Sequence, residues 1–341
     1  MNPRLNPVVI AHRGASGYRP EHTRSAYLLA IELGADALEP DLVASSDGVL
    51  VIRHENELSG TTDVTEHPEF ADRYVTKLIN GKSTSGFFTE DFTWAELSTL
   101  RCRERLPAVR PVNAALDDSE PILRLRDLLG IVDEHPGMDV ALMLELKHAT
   151  NFADVGLPLD DLLANELSAA GWAHDDPRLT VESFEKTILG TLRERGIGAR
   201  HFYILEFGYV AWDERKWAEA QGVPSLGNAE ELSDAGLEVL GGFFDGISVD
   251  ARYLVDILTG NVAAGKRLVE MAQNYGLEVF VWTLRPENTF LPAKWHGGLD
   301  VTSWGDWQGY YEAILSTGVD GVFADHPDLA IVARESVTPR P

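Results

Sequence analysis

The sequence predicts an α/β protein, a (β/α)8 TIM barrel with an inserted subdomain at the catalytic face. Three observations predict it. Eight apolar β-type runs alternate with helical segments, which implies a parallel sheet. Charged and polar residues recur at the carboxyl ends of those runs, where such a barrel builds its active site. The 341 residues exceed the roughly 250 of a plain barrel, leaving room for one insertion. An open doubly wound sheet is the alternative topology.

The first run, Val8 to Ala11, ends in His12-Arg13-Gly14. A helix follows over Thr23 to Gly34, with Ala26, Leu29, Ala30 and Leu33 as its apolar stripe and Gly34 as its stop. Ala37 to Val43 is the second strand. Ser45-Ser46-Asp47-Gly48 is too short for a parallel crossover, so Val49 to Ile52 is expected to return as an antiparallel hairpin partner outside the barrel count. It brings His54 back toward Asp41. Residues 56–119 break the rhythm, with turn formers such as Asn80-Gly81 and Ser85-Gly86, and read as the insertion. Its aromatic residues Phe87, Phe88, Phe92 and Trp94 are most simply a small core of its own. The barrel is thus assigned to 1–55 and 120–341.

Alternation resumes with a helix near Ile122 to Asp133. Strands follow at Val140–Lys147, Leu179–Phe184, His201–Phe207, Gly246–Val249, Val279–Leu284 and Gly321–Asp325. Helices fit near Asp160–Ala170, Glu185–Arg195, Val262–Tyr275 and Trp307–Ser316. One short helix is expected after Asp328, fraying through Pro339–Pro341.

Composition excludes several classes. A hydrophobic content of 44% suits a soluble protein with a large core. No apolar run reaches the ~18 residues of a membrane span, and Met1 to Pro7 lacks the apolar stretch of a signal peptide. The expected location is therefore cytoplasmic. With Cys102 alone, no internal disulfide and no thiolate metal site can form. A net charge of −25 repels nucleic acid and anionic membranes, so neither is an expected stable partner. An anionic small molecule must instead meet locally placed cations or a metal.

Glu39 and Asp41 are two apart on one strand and point to one face, as do Glu145 and Lys147. Glu39, Asp41 and Glu145 make a hard oxygen site for one divalent cation, Mg²⁺ or Ca²⁺. The plainer alternative is a metal-free ion network with Arg13 and Lys147. His12 and His54 flank this site, and histidine titrates near neutral pH, so the pair can serve as general acid and base. Arg13 and Lys147 offer a fork and a point charge to phosphate oxygens. Trp282, at the end of Val279-Phe280-Val281, either packs on the carbon backbone of a substrate or serves local packing. Glu182, Glu206 and Asp325 are further polar residues at strand ends, without an assigned role. The set points to metal-assisted phosphodiester cleavage.

At these residues the chain resembles the glycerophosphodiester phosphodiesterase family. AHRGASGYRPEHTRSAYLLAIELGAD, then LEPDLVASSDGVLVIRHENEL, match its motifs in order and spacing. Glu145-Leu146-Lys147, Ser183-Phe184, Trp282-Thr283 and Gly318 to Asp325 continue the match, and Phe87 to Trp94 resembles the longer bacterial members with an extra subdomain. The resemblance implies a (β/α)8 barrel, one divalent cation, and hydrolysis of a small-molecule glycerophosphodiester to glycerol 3-phosphate and an alcohol. It puts His12 and His54 in the acid/base positions, Glu39, Asp41 and Glu145 in the metal positions, and Arg13 and Lys147 in the phosphate positions. Glu21 matches an acidic residue of the first loop, near the metal or Arg13.

Three residues depart from the family pattern. His22 stands where Asn is usual, Glu55 where Asp is usual, and Arg285 where Asn is frequent. His22 and Arg285 are expected to alter the substrate pocket. Two other readings are a phospholipase acting on intact lipid and a non-catalytic barrel that binds a phosphometabolite. The insertion is expected to cap the site, to mediate homo-oligomer contacts, or both.

Overall fold

The eight β-type runs form one parallel sheet that closes on itself. The computed structural model describes residues 6–137 and 140–337. In it, β1 (Val8–His12) pairs with β2 (Ala37–Glu39). Pro40 has no N–H to give a ladder, and the single expected strand divides there into β2 and β3 (Asp41–Ala44). β4 (Leu50–Ile52) turns back antiparallel on β3 and stays outside the barrel. In the insertion, β5 (Val75–Ile79) and β6 (Lys82–Gly86) form a separate antiparallel hairpin. Its Asn80-Gly81 corner has φ of 48° and 77°, the left-handed geometry that such turns require.

The remaining barrel strands are β7 (Ala141–Leu146), β8 (Leu179–Ser183), β9 (Arg200–Leu205), β10 (Gly246–Asp250), β11 (Glu278–Leu284) and β12 (Gly321–Ala324). They pair in order, and β12 pairs with β1 while β2 and β3 pair with β7, so no edge remains. The lumen is plugged by Ile10, Ala37, Met143, Phe202, Phe280 and Phe323. The polar groups at the carboxyl end thereby sit above an apolar floor.

Helices Arg24–Glu32, Leu125–Asp133, Leu159–Ala170, Lys186–Glu194, Ala263–Asn274 and Trp307–Leu315 cover the outside where periodicity places them. Trp212–Gln221 adds a helix that periodicity does not reveal, because its buried residues are Asp213, Glu214 and Ala218 rather than an apolar stripe. Asp234–Gly241 adds another. The last helix runs over Pro327–Val337. The expected fraying at Pro339–Pro341 lies outside the described residues.

The aromatic cluster of the insertion is not a separate core. Phe87, Phe92, Leu97 and Leu100 belong to the same continuous buried cluster as Val43 and Leu50. The reason is local: Ser46 N donates to Phe92 O at 2.8 Å, which ties the insertion to the β3–β4 hairpin.

Candidate active site

The first strand end is shaped by backbone geometry. Arg13 has a φ of 61°, sparsely populated for a side-chain-bearing residue. This turn aims its N–H at Glu39, whose carbonyl oxygen and Oε2 accept at 3.0 and 2.9 Å. Gly14 has a φ of 82°, and a Cβ there would lie 2.7 Å from the Ala26 carbonyl carbon. Glycine thus lets the first helix approach the strand end.

Strand register then lines up the acids. His12 is the register partner of Glu39, Asp41 of Glu145, and Glu145 of Glu182. Oxygen atoms of Glu39, Glu145 and Glu182, all buried, lie within 4.8 Å of one another. Burial and the neighbouring carboxylates push Glu39 and Glu182 well above the usual carboxylate range. Burial, only partly offset by Lys147, pushes Glu145 up to about 8. Such a cluster costs free energy unless a cation joins it. Glu39 Oε1 is buried and accepts no hydrogen bond. These hard oxygen donors fit a divalent cation of the Mg²⁺ or Ca²⁺ type.

Asp41 sits beside this cluster but is held by cations. Its Oδ2 lies 3.2 Å from Arg13 Nε and 2.9 Å from His22 Nε2, and its Oδ1 lies 3.4 Å from Lys147 Nζ. Burial opposes its ionisation, yet Lys147, His54 and Arg13 keep it well below the usual range. The fold therefore gathers two of the three sequence-derived acids, Glu39 and Glu145, with Glu182, and leaves Asp41 beside them in contact with Arg13, His22 and Lys147. The sequence signal for Glu182 is an acid at the carboxyl end of the β-type run Leu179–Phe184.

Each histidine is anchored through Nδ1. For His12 the partner is Asp325 Oδ1 at 2.7 Å; for His54 it is Glu55 Oε1 at 2.5 Å. Both residues line one cavity of about 910 Å³. Burial first, then Arg13, lowers His12 to about 4; burial, Arg13 and Lys147 lower His54 to about 3. Burial and these cations favour the neutral ring, which accepts a proton, and the carboxylate at each Nδ1 opposes them by favouring the protonated ring, which donates one.

Arg13, Lys147 and Trp282 line the same cavity. Arg13 Nη1 donates to Glu21 Oε2 at 3.0 Å, and Lys147 Nζ donates to Glu145 Oε1 at 2.6 Å. These contacts fix both cations at the cavity wall. Trp282 Nε1 donates to Ser248 O at 3.2 Å, and its ring meets the Phe184 edge, leaving it half-buried in the cavity wall.

The departures resolve differently. His22 is not among the residues that line the cavity: it is fully buried, bonded to Tyr27 Oη at 2.8 Å and to Asp41, and so positions Asp41 from behind. Arg285 does line the cavity, its Nε 2.7 Å from Asp325 Oδ2. Two arginines of the insertion also reach the barrel mouth. Arg105 Nη2 lies 2.7 Å from both Glu21 Oε1 and Glu55 Oε2. Arg110 bonds Glu287 and Asp325, each at 2.7 Å. Neither stands in a local motif, so only tertiary contact identifies them.

Comparison with known proteins shows the family and the fold. The model of the glycerophosphoryl diester phosphodiesterase family matches residues 12–329. A glycerophosphodiester phosphodiesterase of Arabidopsis thaliana is 30% identical over 94% of this chain and 83% of its own length. One from Treponema pallidum is 25% identical over 95% and 90%, respectively. A crystal structure of a putative family member from Silicibacter pomeroyi has a TM-score of 0.68 at 19% identity, covering 97% of this chain and 96% of that one. An Oleispira antarctica phosphodiesterase, solved in complex with sn-glycerol-3-phosphate, has a TM-score of 0.61 at 20% identity, covering 97% and 98%. The chain belongs to the glycerophosphoryl diester phosphodiesterase family and is a phosphoric diester hydrolase.

Proposed function

We propose that the chain hydrolyses small glycerophosphodiesters to glycerol 3-phosphate and an alcohol, using one divalent cation and the His12/His54 pair. One observation carries this reading: two carboxylate-anchored histidines, two cations and a buried acid cluster share a single cavity. The sn-glycerol-3-phosphate held by the Oleispira antarctica neighbour is the product that this reading requires.

Glu39, Asp41 and Glu145, joined by Glu182, would hold Mg²⁺ or Ca²⁺. Such an ion supplies charge neutralisation and orientation for the phosphate. Arg13 and Lys147 bind the non-bridging oxygens and stabilise the charge that grows in the transition state. One histidine takes the proton of the attacking hydroxyl through Nε2, and the other returns a proton to the leaving alcohol. Trp282 packs on the carbon backbone. Residues 56–119 act as an insertion subdomain that braces the mouth through Arg105 and Arg110. A cytoplasmic enzyme, free of nucleic acid and of stable membrane association, is part of the same reading; cell fractionation tests the location.

The deciding experiment measures glycerol 3-phosphate release from a panel of glycerophosphodiesters with Mg²⁺, Ca²⁺ or chelator, beside a His12→Ala control. Metal-dependent release lost in the variant is expected. Release that persists undiminished in chelator, or no release from folded protein with either ion, would overturn the reading.

A further inference from the structure

The cavity is much larger than the polar site that it contains. At about 910 Å³ it stands near the top of the range of about 300–1,000 Å³ for ligand pockets. A glycerol phosphate at the acid cluster would fill only part of it. Beyond that part the wall is largely apolar. Phe184, its ring centroid 5.2 Å from Lys147 Nζ, and Trp282 packed on it line the part next to the polar site, and Ile257, Leu258, Phe290 and Val301 line the same cavity. The rim residues face water despite their character: Ile257 is 53% exposed, Leu258 83% and Val301 56%. Scattered apolar side chains on a surface need no explanation, but apolar residues continuous with a substrate cavity do.

The charged groups of this wall are already engaged. Arg252 Nε forks onto both oxygens of Asp250 at 2.9 Å. Arg285 is tied to Asp325 and lies over the Phe290 ring, 4.8 Å from its centroid. A cationic head group would thus find no unpaired carboxylate there, and Asp250 and Asp325 offset the charge that the two arginines present to an anionic one. Hydrocarbon is the chemistry this wall accommodates at least cost.

Resting on the proposed phosphodiesterase reading, we infer that the apolar part of the cavity is a subsite for a hydrocarbon chain. Preferred substrates are then glycerophosphodiesters that carry a linear alkyl or acyl chain. The reaction is unchanged: water gives its hydroxyl to phosphorus, the P–O bond to the alcohol breaks, and the departing oxygen takes the proton. The chain can enter from either side of the phosphate, on the alcohol or on the glycerol.

The test is kcat/KM for glycerophospho-n-alkanols from ethyl to octyl, kept below micelle formation, beside 1-acyl glycerophosphoethanolamines of matched chain length. A rise of about threefold to fourfold per buried methylene is expected in at least one series, and the rising series identifies the side. Leu258→Ser and Ile257→Ser, both outside the catalytic machinery, should flatten the rise while leaving the ethyl substrate unaffected. A flat or falling profile in both series, with the ethyl compound or glycerophosphocholine turned over best, would overturn the inference and leave the phosphodiesterase reading standing. Calorimetric binding of ethyl, hexyl and octyl phosphate reads the subsite without turnover. Affinity that rises with chain length supports it, and equal affinities count against it, even if no diester is hydrolysed.

Discussion

His12 Nδ1 lies 2.7 Å from Asp325 Oδ1, a contact between the first and last strand ends of the barrel. Asp325 also receives Arg110 and Arg285, each at 2.7 Å. Burial opposes its charge, yet Arg285, Arg110 and His12 keep it ionised. A fixed carboxylate at Nδ1 directs Nε2 into the cavity and stabilises the ring once it gains a proton. Asp325→Asn keeps the shape and removes the charge. We expect kcat to fall by about 100-fold with an unchanged circular dichroism spectrum. A loss under threefold would remove Asp325 from the machinery.

Glu182→Gln tests the fourth acid. Its Oε2 accepts from Ser248 Oγ at 2.8 Å, a bond the amide oxygen can keep. Affinity for Mg²⁺ or Ca²⁺, measured by calorimetry without substrate, should weaken by about tenfold or more. Equal affinity in the variant would show that Glu39, Asp41 and Glu145 suffice.

Arg105→Ala isolates the bracing role of the insertion. The arginine links Glu21, which holds Arg13, to Glu55, which holds His54. Losing it should lower kcat by about tenfold with a smaller change in KM, because the histidine loses orientation rather than the substrate its grip. Steady-state kinetics on one diester decides this; a change confined to KM would place Arg105 in substrate binding instead.

Acid stability follows from buried histidines. Burial, with a contribution from Arg193, lowers His201 on β9 to about 4. Between pH 6.5 and about 4 the unfolded chain binds a proton that the folded chain does not. Stability attributable to this group is therefore full above pH 6.5 and falls as pH drops toward 4, by up to about 3 kcal/mol. Urea unfolding of His201→Gln at pH 7 and pH 4.5 should show a smaller difference between the two pH values than the parent chain. An equal or larger difference would assign the acid sensitivity to other groups.

The sequence alone determined the architecture, the family and most of the residues on which the proposed chemistry rests. Alternating apolar runs and helical stripes are local properties, set by the pleat of a strand and the pitch of a helix. They placed all eight barrel strands and the β4 hairpin. His12, Arg13, Glu39 and Asp41 were legible because polar groups at strand ends are costly without a purpose, and the motifs around them identified the family. Tertiary structure decided what depends on contacts between distant segments. Closure of the sheet set Glu182 beside Glu39 and Glu145, and it brought Asp325 to His12 across the full length of the chain. Arg105 and Arg110 stand in a stretch without periodicity, so nothing local marks them. His22 was legible as a departure but not as a buried support of Asp41. A side chain's partner is set by packing, and packing is a property of the closed barrel rather than of any one segment.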